Sequence, residues 1–538
     1  MKILIYSPNS VLIEHSFAEN ILIKELINCG HEVHRIFCDG VFNSFCTSME
    51  AFSLSPESSV KRKNEICTKC KLISKSHKKI PGVQNYDTKD FFLENDKIKI
   101  DKYIDKLEFE TFQFEDDNFI TKDLKKKALY ETILKYKIDK VSLNNESFNY
   151  YKLKLKSSLY SFFIGKNFKS FLKSDILIIY SPQYEINNFF YEGYKNKSLK
   201  TYFIEGSENL HFHYVGLRIW DWDINKLVSP LKQKWDHIKN KAIPLNQDFL
   251  VKKHIEQLYK SKSFRVFSSR KKGHVVFRTN FNVKRYKKTY LLCLSSSDEA
   301  FAAYTIDAFP KKKFKSNVFK NQLEWLEFTL DYFSKNPDFG LIVRIHPRET
   351  FEKNGVSKSQ HFMKIASKLK SNHLPDNIYI NYPSDNISVY DLFDIIDLTL
   401  VSWSLTAIES LLHSKPVIVY DNNLTNYPDE IICAGNSINE YELNLENSKC
   451  SKYMLDVNLN ELGFKWLRAN FYFNNLYFNS KGASMHLMLF LLRFSRKTNN
   501  KLIIEFTLKV LLKFIKLDKF SNQRFNNLIS NKSSDLLT

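Results

Sequence analysis

Glycine is scarce in this chain, with 13 residues among 538, against an average usage of about 7%. No two glycines lie closer than ten positions apart. A dinucleotide-binding G-x-G-x-x-G turn, a P-loop G-x-x-x-x-G-K-[ST] and a nucleophile elbow G-x-S-x-G all need glycines much closer together than that. The scarcity excludes these three motifs, so any phosphate site in this chain must be built without a glycine-rich loop.

Long apolar runs and a secretory leader are also lacking. No segment offers the roughly 18 uninterrupted apolar residues that a membrane-spanning helix needs. The opening MKILIYSPNS has no apolar core followed by a small-residue cleavage site. Because no such leader precedes them, the 8 cysteines favour a reducing compartment over a disulfide framework. We therefore expect a cytoplasmic protein.

Positive charge is in excess, with 80 Lys and Arg against 59 Asp and Glu, a net charge of +21. The lysines are spread along the chain rather than gathered in one stripe, so we expect no nucleic-acid partner. In the segment 501–520, KLIIEFTLKVLLKFIKLDKF, Lys509, Lys513 and Lys516 fall on one helical face. Such a helix could lie on an anionic membrane surface, at the inner face of the plasma membrane, or pack on the protein with its lysines in solvent.

The order of apolar segments predicts two α/β domains. Residues 1–40 read as strand, helix and strand, in KILIYS, HSFAENILIKELINCG and HEVHRIFCDG, and the pattern returns in DILIIYS and LKTYFIEGS. A second run extends from TYLLCLSSSDEA to KPVIVYD. We predict two Rossmann-like, doubly wound parallel-sheet domains at 1–285 and 286–480, followed by a basic helical tail at 481–538. A charged, cysteine-containing insertion is expected at about 40–140.

Two loops that follow strands of the second run carry residue types suited to phosphate. The candidates are Arg344, His346 and Arg348 after the strand GLIVRI, and Ser402, Ser404 and Thr406 in LVSWSLTAIES. Guanidinium and imidazole groups bind phosphate oxygens, and hydroxyls with free backbone N–H groups at a helix start do so without glycine. Glu409, one turn into that helix, could accept hydrogen bonds from a ribose. The plainer alternatives are a basic surface loop and simple helix capping by Ser404.

These two motifs carry a resemblance to a known family. The order RIHPRE, then NISVYDLFDIIDLTLVSWSLTAIESLLHSKPVIVYD, resembles the C-terminal half of bacterial surface-polysaccharide glycosyltransferases of the GT-B type. It is similar to the capsule-biosynthesis group and, more distantly, to bacterial sialyl- and Kdo-transferases. The opening NSVLIEHSFAENILIKELINCGHEVHRIFCDG resembles the N-terminal half of such enzymes. The resemblance covers roughly residues 1–75 and 175–430.

The resemblance implies a GT-B fold whose two domains face a cleft, and an enzyme that moves a sugar from an NDP- or CMP-activated donor. The acceptor would be a growing glycan or a lipid-linked glycan of the capsule or O-antigen kind. His346 would contact the donor phosphate and stabilise the leaving group, with Ser402 and Ser404 beside it. Because these groups stabilise the departing phosphate, no catalytic metal is expected.

The catalytic base is expected in the N-terminal half. Of the family's acidic motif, TYFIEGS keeps Glu205 and the glycine that follows it, so Glu205 is the first candidate. His15, in the first loop, is a second candidate, and Asp298 or Glu299 in SSSDEA compete with both. The predicted residues on the sugar-nucleotide side are Arg344, His346, Arg348, Ser402, Ser404, Thr406, Glu409, Ser296 and Asp298.

Half of the cysteines fall within 33 residues, at Cys38, Cys46, Cys67 and Cys70. Four cysteines that include a C-x-x-C pair could form a tetrahedral structural Zn²⁺ site. Their irregular spacing is equally compatible with unrelated buried or redox thiols.

Two other functions remain open beside sugar transfer. A teichoic-acid-type transferase that uses a CDP-polyol or sugar-phosphate donor presents a comparable HP and Ser arrangement. It would form a phosphodiester instead of a glycosidic bond. A basic nucleic-acid-binding protein is the third possibility, and its binding would fall steeply with salt.

Overall fold

The computed structural model contains two α/β halves, each built on its own sheet. It describes residues 1–532 apart from 212, 214–215, 222–229, 242, 244–245, 262–265, 308–315, 351–357, 372–373, 426, 451–457, 481–489, 492–493, 495–497, 499 and 531. The strands are β1 (Lys2–Ser7), β2 (Glu32–Phe37), β3 (Val83–Asp87), β4 (Ile176–Tyr180), β5 (Lys200–Gly206), β6 (Gly216–Asp221), β7 (Lys288–Cys293), β8 (Phe339–Arg344), β9 (Ile378–Asn381), β10 (Leu398–Val401), β11 (Val417–Val419), β12 (Cys433–Ala434), β13 (Leu476–Ser480) and β14 (Ile515–Leu517).

The helices connect and cover these strands. They are α1 (Ile13–Asn28), α2 (Thr47–Ala51), α3 (Val60–His77), α4 (Glu94–Asp105), α5 (Lys122–Lys127), α6 (Tyr130–Tyr136), α7 (Asn145–Phe171), α8 (Glu185–Tyr194), α9 (Pro230–Gln233), α10 (Trp235–Ile238), α11 (Asn246–Lys260), α12 (Ser297–Thr305), α13 (Gln322–Ser334), α14 (Gln360–Ser371), α15 (Val389–Phe393), α16 (Thr406–Leu412), α17 (Ile438–Ser448), α18 (Leu459–Asn474), α19 (Lys501–Phe514) and α20 (Lys519–Ile529).

The first sheet has the strand order β14-β13-β6-β5-β4-β1-β2-β3. From β3 to β5 the strands are parallel, and β6, β13 and β14 pair antiparallel at the far side. The parallel part has the 3-2-1-4-5 order of a Rossmann fold. Every residue of β4, ILIIY, is buried, because helices cover both faces of the sheet and the strand reads as one apolar run.

The second sheet has the order β12-β11-β10-β7-β8-β9 and is parallel throughout. Read from β9 to β12, this is the 3-2-1-4-5-6 order of the Rossmann fold. The prediction of two Rossmann-like, doubly wound domains is therefore confirmed. The carboxyl ends of the parallel strands define one edge of each sheet, where such folds bind their ligands.

The structure differs from the sequence expectation over residues 40–140. This region was expected to be an insertion, yet β3 lies within it and completes the first sheet by pairing with β2. The strand sequence VQNYD is polar and only partly buried, because an edge strand packs fewer neighbours than a central one. Its composition therefore gave no apolar signal to mark it as part of the sheet.

The chain also crosses between the two halves along its length. Leu231, Trp235, Val251 and Leu258 are buried in a core with strands of the second sheet. In the other direction, β13 and β14 extend the first sheet. The boundary of each domain is therefore set by which core a segment packs into and not by its position along the chain.

The basic tail is packed rather than free-standing. Ile504, Leu508 and Leu511 of α19 are buried in the first core, and the helix ends at Phe514 because the chain turns into β14. Its lysines Lys509 and Lys513 are exposed, which matches the alternative of a packed helix with a solvated lysine face. Among the described helices, none is long and apolar enough to cross a bilayer. Of the expected tail, 481–489, 492–493, 495–497, 499, 531 and 533–538 lie outside the described residues.

The two halves touch through α12 and α6. Ala302, Ala303 and Ile306 of α12 are buried in the same apolar cluster as Leu129 and Ile133. In addition, the Lys137 Nζ donates to the backbone carbonyl of Arg348 at 3.0 Å. This contact holds the loop after β8 against the first domain, with the carboxyl ends of both sheets nearby.

Candidate active site between the two sheets

His346 begins the loop that follows β8 and has a defined tautomer. Its Nδ1 accepts the backbone N–H of Arg348 at 3.2 Å, which closes the short 3₁₀ turn Pro347–Glu349. Burial, together with the cations of Arg344 and Arg348, lowers the pKa of His346 to about 3. The imidazole is therefore neutral, and because Nδ1 accepts, Nε2 carries the proton and is a hydrogen-bond donor.

Arg344, the last residue of β8, and Arg348 in the loop are both engaged by protein groups. The Nη1 of Arg344 donates to the Asn381 side-chain oxygen at 2.6 Å and to the Ile387 carbonyl at 2.9 Å. Arg348 forms ion pairs with Asp298 and Glu299, each at 2.8 Å. In this state both guanidinium groups order the loop. Direct phosphate binding by Arg348, as predicted, would require it to exchange carboxylate partners.

Ser296 and Asp298 lie at the start of α12, shortly after β7, and contact the HP loop. The Ser296 hydroxyl donates to Asp298 Oδ1 at 2.5 Å, and Asp298 Oδ2 accepts from Arg348. Asp298 is only 2% exposed, so this ion pair is shielded from solvent and orders the start of α12. Glu349 lies in the same cluster, where burial and the charge of Asp298 raise its pKa to about 8.

The serine loop after β10 is partly structural. Ser402 is fully buried, and its hydroxyl lies 3.1 Å from that of Ser295, so Ser402 links two strand ends. Ser404 Oγ donates to Thr406 Oγ1 at 2.7 Å and accepts the Thr406 N–H at 3.1 Å. Ser404 and Thr406 are half-buried and remain the better-exposed hydroxyls of the predicted set.

Glu409 lies one turn into α16, close to Tyr390 and Arg344. Burial raises its pKa to about 7, although the hydrogen bond from Tyr390 and the Arg344 cation act in the opposite direction. A carboxyl group with this pKa changes charge near neutral pH. Its half-buried position in the first turn of α16 is compatible with the predicted contact to a ribose.

On the first domain, Tyr180 brings the two predicted bases together. Its ring stacks on His15 with centroids 3.6 Å apart and 13° between the planes. Its hydroxyl accepts the backbone N–H of Gly206 at 2.9 Å, and Gly206 directly follows Glu205 at the end of β5. His15 and Glu205, 190 positions apart in sequence, therefore share one support.

Tyr130 connects the two halves of the site. The pKa of its phenol is raised well above the ordinary value by burial, followed by the effects of Tyr184, Glu299 and Glu205. Glu205 belongs to the first sheet and Glu299 follows the second, so carboxylates from both domains lie within electrostatic reach of one hydroxyl. That hydroxyl donates to the Gln183 side-chain oxygen at 2.6 Å.

Sequence reasoning missed Tyr130, Tyr180 and Glu349. Glu349 is the last residue of RIHPRE and could have been found from its place in the motif. Tyr180 ends a clearly predicted strand, and because such folds bind ligands at the carboxyl ends of their strands, its position indicated a possible site residue. Tyr130 offered no signal, because it begins a short helix outside every motif and reaches the cleft only through the packing of α6 on α12.

Comparison with known proteins gives distant structural matches. No family model matches the sequence, and no curated protein matches it. Two solved domains of Thermosulfurimonas dismutans KpsC, a beta Kdo 2,7 transferase and a beta Kdo 2,4 transferase, match with 16% and 13% identity, each with a TM-score of 0.32. They cover 59% and 62% of this chain, and 82% and 87% of their own.

A UDP-GlcNAc 2-epimerase from Neisseria meningitidis, solved with UDP-GlcNAc, matches with 9% identity and a TM-score of 0.27 over 88% of this chain and 97% of its own. Scores this low identify no activity. The fold class rests on the strand order of the two sheets: the chain is an α/β protein with two Rossmann-like domains.

Proposed function

We propose that this chain is a glycosyltransferase that moves a sugar from a nucleotide-activated donor to a growing surface polysaccharide. The observation that carries the proposal is the packing of α12 on α6 together with the hydrogen bond from Lys137 to the Arg348 carbonyl, because these contacts bring the loop after β8 against the first domain. Ligands of such folds bind beyond the carboxyl ends of the strands, so both substrates would meet in this cleft. The proposed partners are a nucleotide sugar and a glycan or lipid-linked glycan.

The second domain would bind the nucleotide sugar. The Nε2–H of neutral His346 and the hydroxyl of Thr406 would donate to the phosphate oxygens, and Ser404, whose hydroxyl proton goes to Thr406 Oγ1, would orient the Thr406 hydroxyl. These are fixed donors in a partly buried site, so they stabilise the charge that develops on the leaving phosphate with little reorganisation. In this proposal neutral O–H and N–H groups, rather than a metal ion, perform that task. Glu409 would accept from the ribose when it is ionised.

The first domain would activate the acceptor. Glu205 takes the proton of an acceptor hydroxyl, the oxygen attacks the anomeric carbon, and the bond from that carbon to the phosphate oxygen breaks. His15 is the alternative base, held by the same Tyr180. The pH dependence of kcat/KM in Glu205→Gln and His15→Asn separates the two, since only the loss of the true base removes the rise of rate with pH.

A thermal-shift screen against UDP, GDP, CMP and CDP tests the nucleotide site. One nucleotide is expected to raise Tm in a concentration-dependent way, because a ligand that binds only the folded state stabilises it. His346→Ala should abolish the shift. His274→Ala is the matched control, since His274 is exposed in the segment before β7. If no nucleotide moved Tm, the proposal would lose its basis.

Product analysis then separates the possible reactions. The nucleotide sugar that corresponds to the identified nucleotide is incubated with acceptor glycans, and the products are examined by NMR. A glycosidic bond with nucleotide release supports the proposal. A phosphodiester product would instead indicate the teichoic-acid-type reaction, and an isomerised nucleotide sugar without nucleotide release would indicate an epimerase. Either of these two outcomes contradicts the proposal.

The lipid-linked form of the acceptor would place this enzyme at the inner face of the plasma membrane. The exposed stripe of α19 supports such a contact: Leu502 is 74% exposed and Phe506 67% exposed, and Lys509 and Lys513 continue the same face. An apolar and basic stripe binds anionic lipid surfaces. Phe506→Glu should reduce cosedimentation with anionic vesicles, whereas equal binding of both proteins would contradict this assignment.

A further inference from the structure

The four clustered cysteines line one cavity of the first domain. Cys38, Cys46, Cys67 and Cys70 form its wall together with residues that include Pro8, Asn9 and Ile66. The cavity has a volume of about 20 Å³, room for about one water-sized occupant. Chain segments that were separated in the sequence thus bring half of the cysteines to a single point.

Three elements supply these thiols. Cys38 follows β2 directly, Cys46 is the N-cap residue of α2, and Cys67 and Cys70 lie on α3. Residues three apart on a helix project from the same face, so the C-x-x-C pair presents both thiols to the cavity. In an unrelated set of buried thiols, four cysteines from three elements would have no reason to share one wall.

Two opposing effects act on the ionisation of the four thiols: burial disfavours the thiolate, and nearby hydrogen-bond donors and cations favour it. Burial raises the pKa of Cys38 to about 12 and the pKa values of Cys46 and Cys67 to about 11 each. The pKa of Cys70 is raised further, also by burial. However, the Gly40 N–H donates to Cys38 Sγ at 3.4 Å, and such hydrogen bonds favour the ionised sulfur.

Cys46 and Cys67 have further support for a negative charge. The backbone N–H groups of Ser48 and Met49, at the start of α2, hydrogen-bond to Cys46, and the Lys154 cation is nearby. The Lys71 cation lies close to Cys67. N–H donors and cations near a thiol favour its ionised form, whereas burial disfavours it. A metal cation bound in the cavity would stabilise all four thiolates and thereby overcome the cost of burying their charge.

We propose that Cys38, Cys46, Cys67 and Cys70 bind one structural Zn²⁺ ion as four thiolates. Zn²⁺ in structural sites is tetrahedral and commonly Cys₄. Binding converts one Zn²⁺ and four thiols into a [Zn(S-Cys)₄]²⁻ centre with release of four protons, and the Lys71 cation near Cys67 would offset part of its charge. The small cavity favours a single ion over an iron–sulfur cluster, which has the same thiolate ligands but several metal and sulfide atoms.

Metal binding requires small side-chain movements. In the described part of the chain, no three His, Cys, Asp or Glu side chains are arranged around one point as metal ligands. The thiols would rotate about their Cα–Cβ bonds toward the cavity they already line. The bound ion would link the segment after β2, α2 and α3 beside Pro8 and Asn9, which also line the cavity.

Metal analysis of the full-length protein tests the proposal. The chain is produced without a metal-binding tag in zinc-supplemented medium, desalted, and measured by elemental analysis, with about one zinc per chain expected. After exchange with Co²⁺, thiolate-to-metal absorption in the near ultraviolet and the intense visible bands of tetrahedral Co²⁺ should appear. Cys67→Ser combined with Cys70→Ser should remove most of the bound zinc.

The control is Cys293→Ser, which changes a buried cysteine of the second sheet and should keep about one zinc per chain. If the double variant fails to fold, the wild-type measurements still decide the question. Four reactive thiols at these positions in zinc-replete folded protein would overturn the proposal. So would bound iron with acid-labile sulfide, or a disulfide between any two of the four cysteines.

Discussion

Replacing Glu409 with glutamine is expected to stabilise the protein above neutral pH. The folded state raises the pKa of Glu409 from an ordinary value of 4.5 to about 7, so between these values the folded protein keeps a proton that the unfolded chain has lost. The stabilising contribution of Glu409 to the free energy of unfolding is fully present below pH 4.5 and is lost as the pH rises through 7. The difference corresponds to about 3 kcal/mol, an upper value because the side chain is half-buried.

Urea unfolding of both proteins from pH 5 to pH 8 measures this effect. The wild type should lose up to about 3 kcal/mol relative to Glu409→Gln across this range, since glutamine does not titrate and still offers an oxygen to Tyr390. Glu442→Gln, an exposed change on α17, is the control and should follow the wild type. Stability curves of Glu409→Gln and wild type that run parallel through pH 7 would refute the reasoning.

The same substitution tests the proposed contact of Glu409 with the ribose. If the ionised carboxylate accepts from the ribose hydroxyls, the affinity for the identified nucleotide should increase as the pH rises through 7. Glu409→Gln should show no such increase. Calorimetric titrations at pH 6 and pH 8 measure the difference, and an unchanged pH profile in the variant would separate Glu409 from the nucleotide site.

Two further predictions concern packing around the cleft. Tyr180→Phe should cost about 1–2 kcal/mol of stability, because the buried Gly206 N–H loses its acceptor, and it should also lower kcat. Tyr202→Phe is the control, because it removes a similar 2.9 Å hydrogen bond, from the Tyr202 hydroxyl to the Leu528 carbonyl. It should lower stability by a comparable amount and leave kcat unchanged. If the two variants had the same kcat, the proposed role of Tyr180 in the site would be wrong. Gly193→Ala should lower stability by about 1–3 kcal/mol, since the added methyl would clash with the backbone of α7, and an unchanged Tm would contradict this close helix contact.

Local patterns in the sequence were sufficient to predict the central strands and both loops of the second domain. The strand GLIVRI became β8 with His346 just beyond it, and LTLVS became β10 followed by the serine loop. Strands buried on both faces need apolar residues at every position, so they can be recognised without knowing their neighbours. The edge strand β3 is only partly buried and therefore needs no continuous apolar run. Its polar sequence consequently gave no indication of a strand.

The sequence of α19 left two outcomes open, since an apolar stripe with lysines satisfies either a protein core or a lipid surface. The presence of a complementary apolar face on the first domain decided where Ile504, Leu508 and Leu511 lie. Similarly, the spacing of the cysteines allowed a metal site or scattered thiols. The path of the chain from β2 through α2 to α3 brought the four side chains to one cavity.

The sequence by itself thus determined the class of fold, the exclusion of glycine-rich phosphate loops and the identity of the HP and serine motifs, because each depends on residues close together in the chain. Only the tertiary structure decided that Arg344 and Arg348 are held by protein acceptors, that Tyr180 contacts both His15 and the backbone next to Glu205, and that Tyr130 lies where α6 packs on α12. These contacts join residues far apart in sequence, and they depend on how whole helices and strands pack, which no local pattern encodes.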